Sequence, residues 1–191
     1  MTFFDAMCAN LLSMGITTAF YVCASLLLLG EIPYKNRRHY YTIFWTLMLY
    51  IFACALVGTI FYKTGLFALP HSGGEVIIDY FTIFGSILFL RTMYEKSFGT
   101  YLATAVFLNI LYSFGWNLSD IFSPDKFYYM GNMSDRKQYL FQEWVVIPFC
   151  LFLTLAFLYK TKAGKLFGQW ENQKLKPLIL VFLGLYPALQ Q

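Results

Sequence analysis

Charge is what this chain has least of: of 191 residues only 13% are Asp, Glu, Lys or Arg, against 59% that are apolar and 21% that are aromatic. So little polar surface cannot cover a soluble globule of this length, which leaves an integral membrane protein. Histidine is nearly absent as well. The two histidines, His39 and His71, fall in loops expected on opposite sides of the membrane, too far apart to build a metal cluster. Four cysteines, Cys8, Cys23, Cys54 and Cys150, sit inside apolar runs without paired C-x-x-C spacing, so neither a zinc site nor a disulfide framework is expected. They read as small packing residues. No nucleophile stands beside a base, and neither H-E-x-x-H nor a phosphate-cradling glycine loop occurs; Gly73-Gly74 is a turn signal. The chain therefore offers no catalytic residue, no metal ligand and no cofactor site, and no nucleic-acid partner is expected.

Further absences narrow the fold. There is no internal repeat, low-complexity tract or heptad run, and a stretch such as MGITTAFYVCASLLLLG lacks the apolar and polar alternation of a β-barrel strand. The first apolar stretch has no basic region before it and no small-residue cleavage pattern after Leu29, so it is expected to remain as a helix and not to be removed as a signal peptide.

What is present is a series of apolar runs of roughly 17 to 23 residues, the length a helix needs to cross about 30 Å of hydrocarbon. They cover 7–29, 41–62, 76–92, 99–119 and 144–160, with a shorter run at 178–189 between Pro177 and the last residues, where Pro187 intervenes. The expected fold is all-α: one polytopic transmembrane bundle over 1–191, with five clear spans and a short, truncated sixth. Orientation follows from the basic residues, because Lys and Arg near span ends resist translocation while acidic residues count for little. Lys35, Arg37, Arg38, Arg91, Lys96, Lys160, Lys162, Lys165, Lys174 and Lys176 follow spans one, three and five, whereas only Lys63, Lys126, Arg136 and Lys137 lie on the other side. Three acidic residues, Glu31, Glu95 and Glu171, accompany the ten; seven accompany the four. The basic side is expected to be cytoplasmic and the N-terminus outside. Trp45, Trp116 and Trp144 fall near span ends, where an indole sits at headgroup level.

Polar residues within the spans are candidates for function, since each costs a few kcal/mol in lipid unless it faces other helices or water. Asp79, near the outer end of span three, and Asn109, near the middle of span four, are expected to face the bundle interior, as parts of a ligand pocket or as interhelical hydrogen-bond partners. Pro148 is a hinge or a first-turn proline of span five. The external segment SDIFSPDKFYYMGNMSDRKQYLFQEW mixes scattered charge with aromatic rings, which suits either a small-peptide recognition surface or an aromatic belt on the headgroups. Tyr128 and Tyr129, beside Trp116 and Trp144, are its expected ligand-binding residues. Asn117-Leu118-Ser119 and Asn132-Met133-Ser134 match the glycosylation pattern, a short motif that recurs by chance.

The order of these features resembles the N-terminal membrane sensor of the peptide-pheromone type sensor histidine kinases of Gram-positive bacteria, whose kinase part is of the GHKL class. The resemblance rests on the basic turn YKNRRHYY after the first span, the charged inner turn of FLRTMYEKSFGTYLATAVF and the Lys-rich KTKAGKLFGQWENQKLK before the last run. It implies a multi-pass protein of the bacterial plasma membrane. Such a protein would bind a small extracellular signal, often a secreted peptide, and relay it through helix rearrangement to a cytoplasmic dimerisation helix and kinase, working as a homodimer among membrane lipids. The phosphoacceptor His helix and the ATP-binding glycine boxes of that family are absent from this chain. Two other readings stay open: the substrate-capture subunit of a vitamin-type uptake transporter, for which the first span offers only Ala19-x-x-x-Cys23 as a small-residue docking pattern, and a membrane scaffold.

Overall fold

A computed structural model describes residues 3–33, 36–64, 73–122 and 145–161. Five helices make up the described chain: α1 (Phe3–Leu29), α2 (Arg37–Thr64), α3 (Gly73–Met93), α4 (Phe98–Phe122) and α5 (Ile147–Thr161). No strand occurs among the described residues. The first four helices each contain one of the expected apolar runs and extend past it, because hydropathy marks only the part matched to hydrocarbon, while the helix continues until its ends are capped; α5 begins at Ile147, inside the expected run 144–160. The Asn36 side-chain oxygen accepts the His39 backbone N–H at 2.8 Å and starts α2, and Ser97 does the same for Thr100 at 3.3 Å to start α4. α1 ends at Gly30, whose φ of 87° suits glycine, with its N–H donating to the Leu26 carbonyl at 3.0 Å. Pro148 occupies the first turn of α5, where its missing N–H has no intrahelical acceptor to lose. The run at 178–189 lies outside the described residues.

Consecutive helices pack side by side, α1 on α2, α2 on α3, α3 on α4 and α4 on α5, and α1 completes the bundle by packing on both α4 and α5. The interior holds large apolar side chains such as Phe20, Phe89, Leu90 and Met93, and small hydroxyl residues among them. Thr17, Thr18, Ser25, Thr59, Ser86, Thr104 and Thr154 are buried. Their hydroxyls are already satisfied by carbonyls three or four residues back in their own helices, as in Thr18 to Met14 at 2.7 Å and Thr104 to Thr100 at 2.7 Å. Facing outward are large apolar side chains on every helix, among them Phe4, Trp45, Leu49, Phe84, Phe114 and Phe152. Bulky apolar side chains on the outer face, with small hydroxyl residues where helices meet, suit a bundle in lipid, since hydrocarbon gives apolar side chains no reason to hide while close helix approach favours small ones.

Phe3–Leu29, Arg37–Phe61 and Phe98–Ser119 are long and apolar enough to cross a membrane, and Tyr80–Met93 and Ile147–Thr161 are apolar but shorter. Three such helices mark a membrane protein. The cysteines divide: Cys54 and Cys150 are buried packing residues, but Cys8 and Cys23 are exposed on α1. Small size admits Cys to either face, so the expectation of packing holds for only two of the four.

Candidate functional site

Of the six sequence-predicted site residues, Asn109 and Trp116 are the two whose side chains the structure describes. Asn109 is 4% exposed, facing the interior as expected. Trp116 lies two turns further along α4 and is half-buried against the core, so it does not stand free at the surface. Asp79 falls in the second turn of α3, with its side chain outside the described part of the molecule. Tyr128, Tyr129 and Trp144 lie outside the described residues, as does all of 123–144.

Asn109 and Trp116 belong to a feature that loop chemistry alone does not reveal. Positions 109, 112 and 116 form one stripe of α4, and Tyr112 between them meets α1. The Tyr112 ring stands 6.2 Å from Trp116, 6.3 Å from Phe20 and 6.0 Å from Tyr21, edge-on to the last at 89°. These separations lie in the range of favourable aromatic pairs. Phe20, Tyr21 and Tyr112 were missed as candidates. The three-and-four spacing of 109, 112 and 116 puts Tyr112 on the stripe of Asn109 and Trp116, but nothing in the sequence singles out Phe20 and Tyr21 before the packing of α1 on α4 is known.

One turn further along α1 from Tyr21, Ser25 opens a second polar feature at the end of the bundle where α1 and α3 finish and α2 and α4 begin. Its hydroxyl donates to the Val22 carbonyl at 2.8 Å and so is placed to accept from the Tyr94 phenol, 3.3 Å away. The Tyr94 carbonyl in turn accepts from the Tyr101 hydroxyl at 2.6 Å, and the Tyr101 oxygen accepts the Lys96 backbone N–H at 2.7 Å. Through Tyr94 the short turn between α3 and α4 is thus tied to α1. Burial pushes the Tyr94 phenol above its ordinary value, against a smaller lowering by Ser25, so at neutral pH it stays protonated and donates. On these contacts Tyr101→Phe is expected to cost more than Tyr94→Phe. The first leaves a buried carbonyl and an N–H without the phenol that served them, about 1–3 kcal/mol; the second removes one long hydrogen bond, about 0.5–1.5 kcal/mol. Thermal unfolding of the two variants in the same detergent checks the order.

Two hollows open at the same end. One, of about 200 Å³, is walled by His39 and Thr42 of α2 and by Arg91 through Glu95 at the end of α3. The other is a shallow groove of about 490 Å³ along the start of α2, from Arg38 through Thr42 and Trp45 to Leu49. Neither is lined by Asn109 or Trp116. Among the described residues no three His, Cys, Asp or Glu side chains gather closely enough to hold a metal ion. Nothing matches the chain among protein-family models, curated proteins or solved structures.

Proposed function

We propose that this chain is a membrane-embedded sensor region, with its N-terminus outside and five spans, that binds a small extracellular signal, a peptide in the first instance, and relays it to a cytoplasmic kinase outside this chain. The observation that carries the reading is a run of contacts along the interior. Trp116 touches Tyr112, Tyr112 touches Tyr21, and one turn beyond Tyr21 the Ser25 hydroxyl meets Tyr94 in the turn between α3 and α4. In this reading the signal sits among Tyr128, Tyr129, Trp144 and the outer end of α4, with Asp79 and Asn109 further in. A shift of α4 against α1 then reaches the basic end of the bundle as a change at Tyr94. Interior contacts of this kind support a relay, and a two-state element that both ends bias is what the relay further requires.

The capture-subunit alternative has an observation of its own. Ala19 and Cys23 are both exposed on α1, leaving a small-residue step against which a partner helix fits closely. Affinity purification from the native membrane separates the two. A sensor brings down kinase sequence or a second copy of itself, whereas a capture subunit brings down an ATPase-driven transport module. Recovery of that module without kinase sequence overturns the sensor reading.

A further inference from the structure

The two hollows at the basic end adjoin, because Thr42 lines both. One side of Thr42 is a polar recess and the other an apolar groove, and each has the chemistry of one half of an amphiphile. Arg91 and His39 stand in the wall of the recess, and the His39 Nε2 is buried without a hydrogen-bond partner, so in the Nε2–H tautomer it has a donor to offer. Glu95 is the carboxylate in that wall, and Arg38 stands at the mouth of the groove beside it. Two guanidiniums against one carboxylate leave a positive surplus where the hollows meet. Beyond Arg38 the groove runs down the outward face of α2 over Tyr41, Trp45 and Leu49, with Trp45 66% exposed. That face points to where lipid chains lie.

We infer that the recess and groove together hold one anionic phospholipid, its phosphate between Arg91, Arg38 and His39 and one acyl chain along Trp45 and Leu49. Charge selects the occupant: guanidiniums pair with phosphate oxygens that a chain-only ligand lacks, and the positive surplus favours a headgroup of net negative charge over one whose phosphate is cancelled by its own cation. Continuity of the recess with the groove selects a phosphate that carries a chain over free phosphate. The site rests on the membrane-spanning character of the bundle and is independent of the sensor reading, so either can fail without the other.

Trp45 itself reports on the site. The purified full chain is placed in mixed micelles containing a small mole fraction of either phosphatidylglycerol or phosphatidylcholine with brominated chains, and quenching assigned to Trp45 is the part lost in Trp45→Phe. Brominated phosphatidylglycerol is expected to quench it at least about fivefold more effectively than brominated phosphatidylcholine, the factor that one basic residue near a headgroup is worth. Arg38→Gln with Arg91→Gln should bring the ratio to about one, a change at exposed side chains that removes no packing. Thr42→Phe, which blocks the junction without altering charge, should do the same, whereas Arg37→Gln, which lines neither hollow, should leave the preference in place. Equal quenching by the two lipids in the native chain overturns the proposal. So does a preference that survives either the double arginine change or Thr42→Phe, and so does one lost as fully in Arg37→Gln, which would make it general surface charge.

Discussion

A single cysteine at Gly131 should be labelled by a membrane-impermeant maleimide in intact cells, and a single cysteine at Asn36 should be labelled only after the cells are opened. The background for both replaces the native four, which divides by environment: Cys54 and Cys150 are buried and suit Ala, while Cys8 and Cys23 are exposed on α1 and tolerate Ser or Ala. The expectation rests on the basic residues around Asn36. Arg37 and Arg38 open α2, and Arg91 and Lys96 bracket the turn from α3 to α4 at the same end of the bundle. A cluster of this kind next to span ends is held back on the cytoplasmic side during insertion. The effect is close to all-or-none, since a loop residue is on one side or the other. Labelling at Asn36 in intact cells would invert the topology, take the aromatic external segment to the cytoplasm and with it remove the proposed place for an extracellular ligand. Asn36 caps α2 through its side chain, so the cysteine there weakens one helix start by about 1 kcal/mol, which leaves insertion intact.

The fold was legible in the sequence to the extent that it follows from length and apolar content, and illegible where it depends on which face of a helix turns inward. Apolar runs at 7–29, 41–62, 76–92 and 99–119 each lie within one helix, and the caps that extend those helices, Asn36, Ser97 and Gly30, are ordinary end signals. The inward face is different. A helix that is apolar all round carries almost no moment to read, so α1 and α3 give little sign of how they are turned. The sign that exists is the small hydroxyl residues, since Thr17, Ser25, Ser86 and Thr104 all point in. The same logic explains the uneven outcome for the site. Asn109 was readable because a carboxamide in mid-span has nowhere else to go. Tyr112 and Tyr21 were not, because in a chain with 15 tyrosines and 21 phenylalanines an aromatic ring is no signal until a partner helix is known. The recess between His39 and Arg91 was out of reach for a further reason: it joins two turns more than fifty residues apart in the chain, and only the packing of α2 on α3 brings them together.

That packing supplies the second large effect, at Gly85. A Cβ built on Gly85 would run into Cε2 of Tyr50 and lie 2.7 Å from its Cδ2, far inside van der Waals contact, so the α3 backbone lies directly against the Cδ2–Cε2 edge of the ring. The ring has little room to retreat. Tyr50 is 7% exposed, its hydroxyl donates to the Thr82 carbonyl at 3.3 Å, and its ring meets Phe89 at 5.3 Å in an edge-on contact. Gly85→Ala gains up to about 1 kcal/mol of helix propensity, but it must push α3 and α2 apart or swing the ring off its hydroxyl partner, an overpacking cost of about 1–3 kcal/mol. Gly85→Val widens the clash and should cost more. Gly115 is the internal comparison: its added Cβ would meet the terminal Cδ2 of Leu151 at 2.7 Å and the Thr154 Oγ1 at 3.2 Å, the first the far end of a flexible side chain, with the Leu151 backbone at an ordinary 3.6 Å. Thermal unfolding in detergent should therefore rank the variants, with Gly85→Val least stable, Gly85→Ala next and Gly115→Ala nearest the native chain. Tyr50→Leu in the Gly85→Ala background should recover part of the loss, because the two substitutions share one contact and their effects are not additive. If Gly85→Ala and Gly85→Val melt with the native protein, the close approach of α3 to Tyr50 is wrong, and the junction of α2 with α3 that forms the recess goes with it.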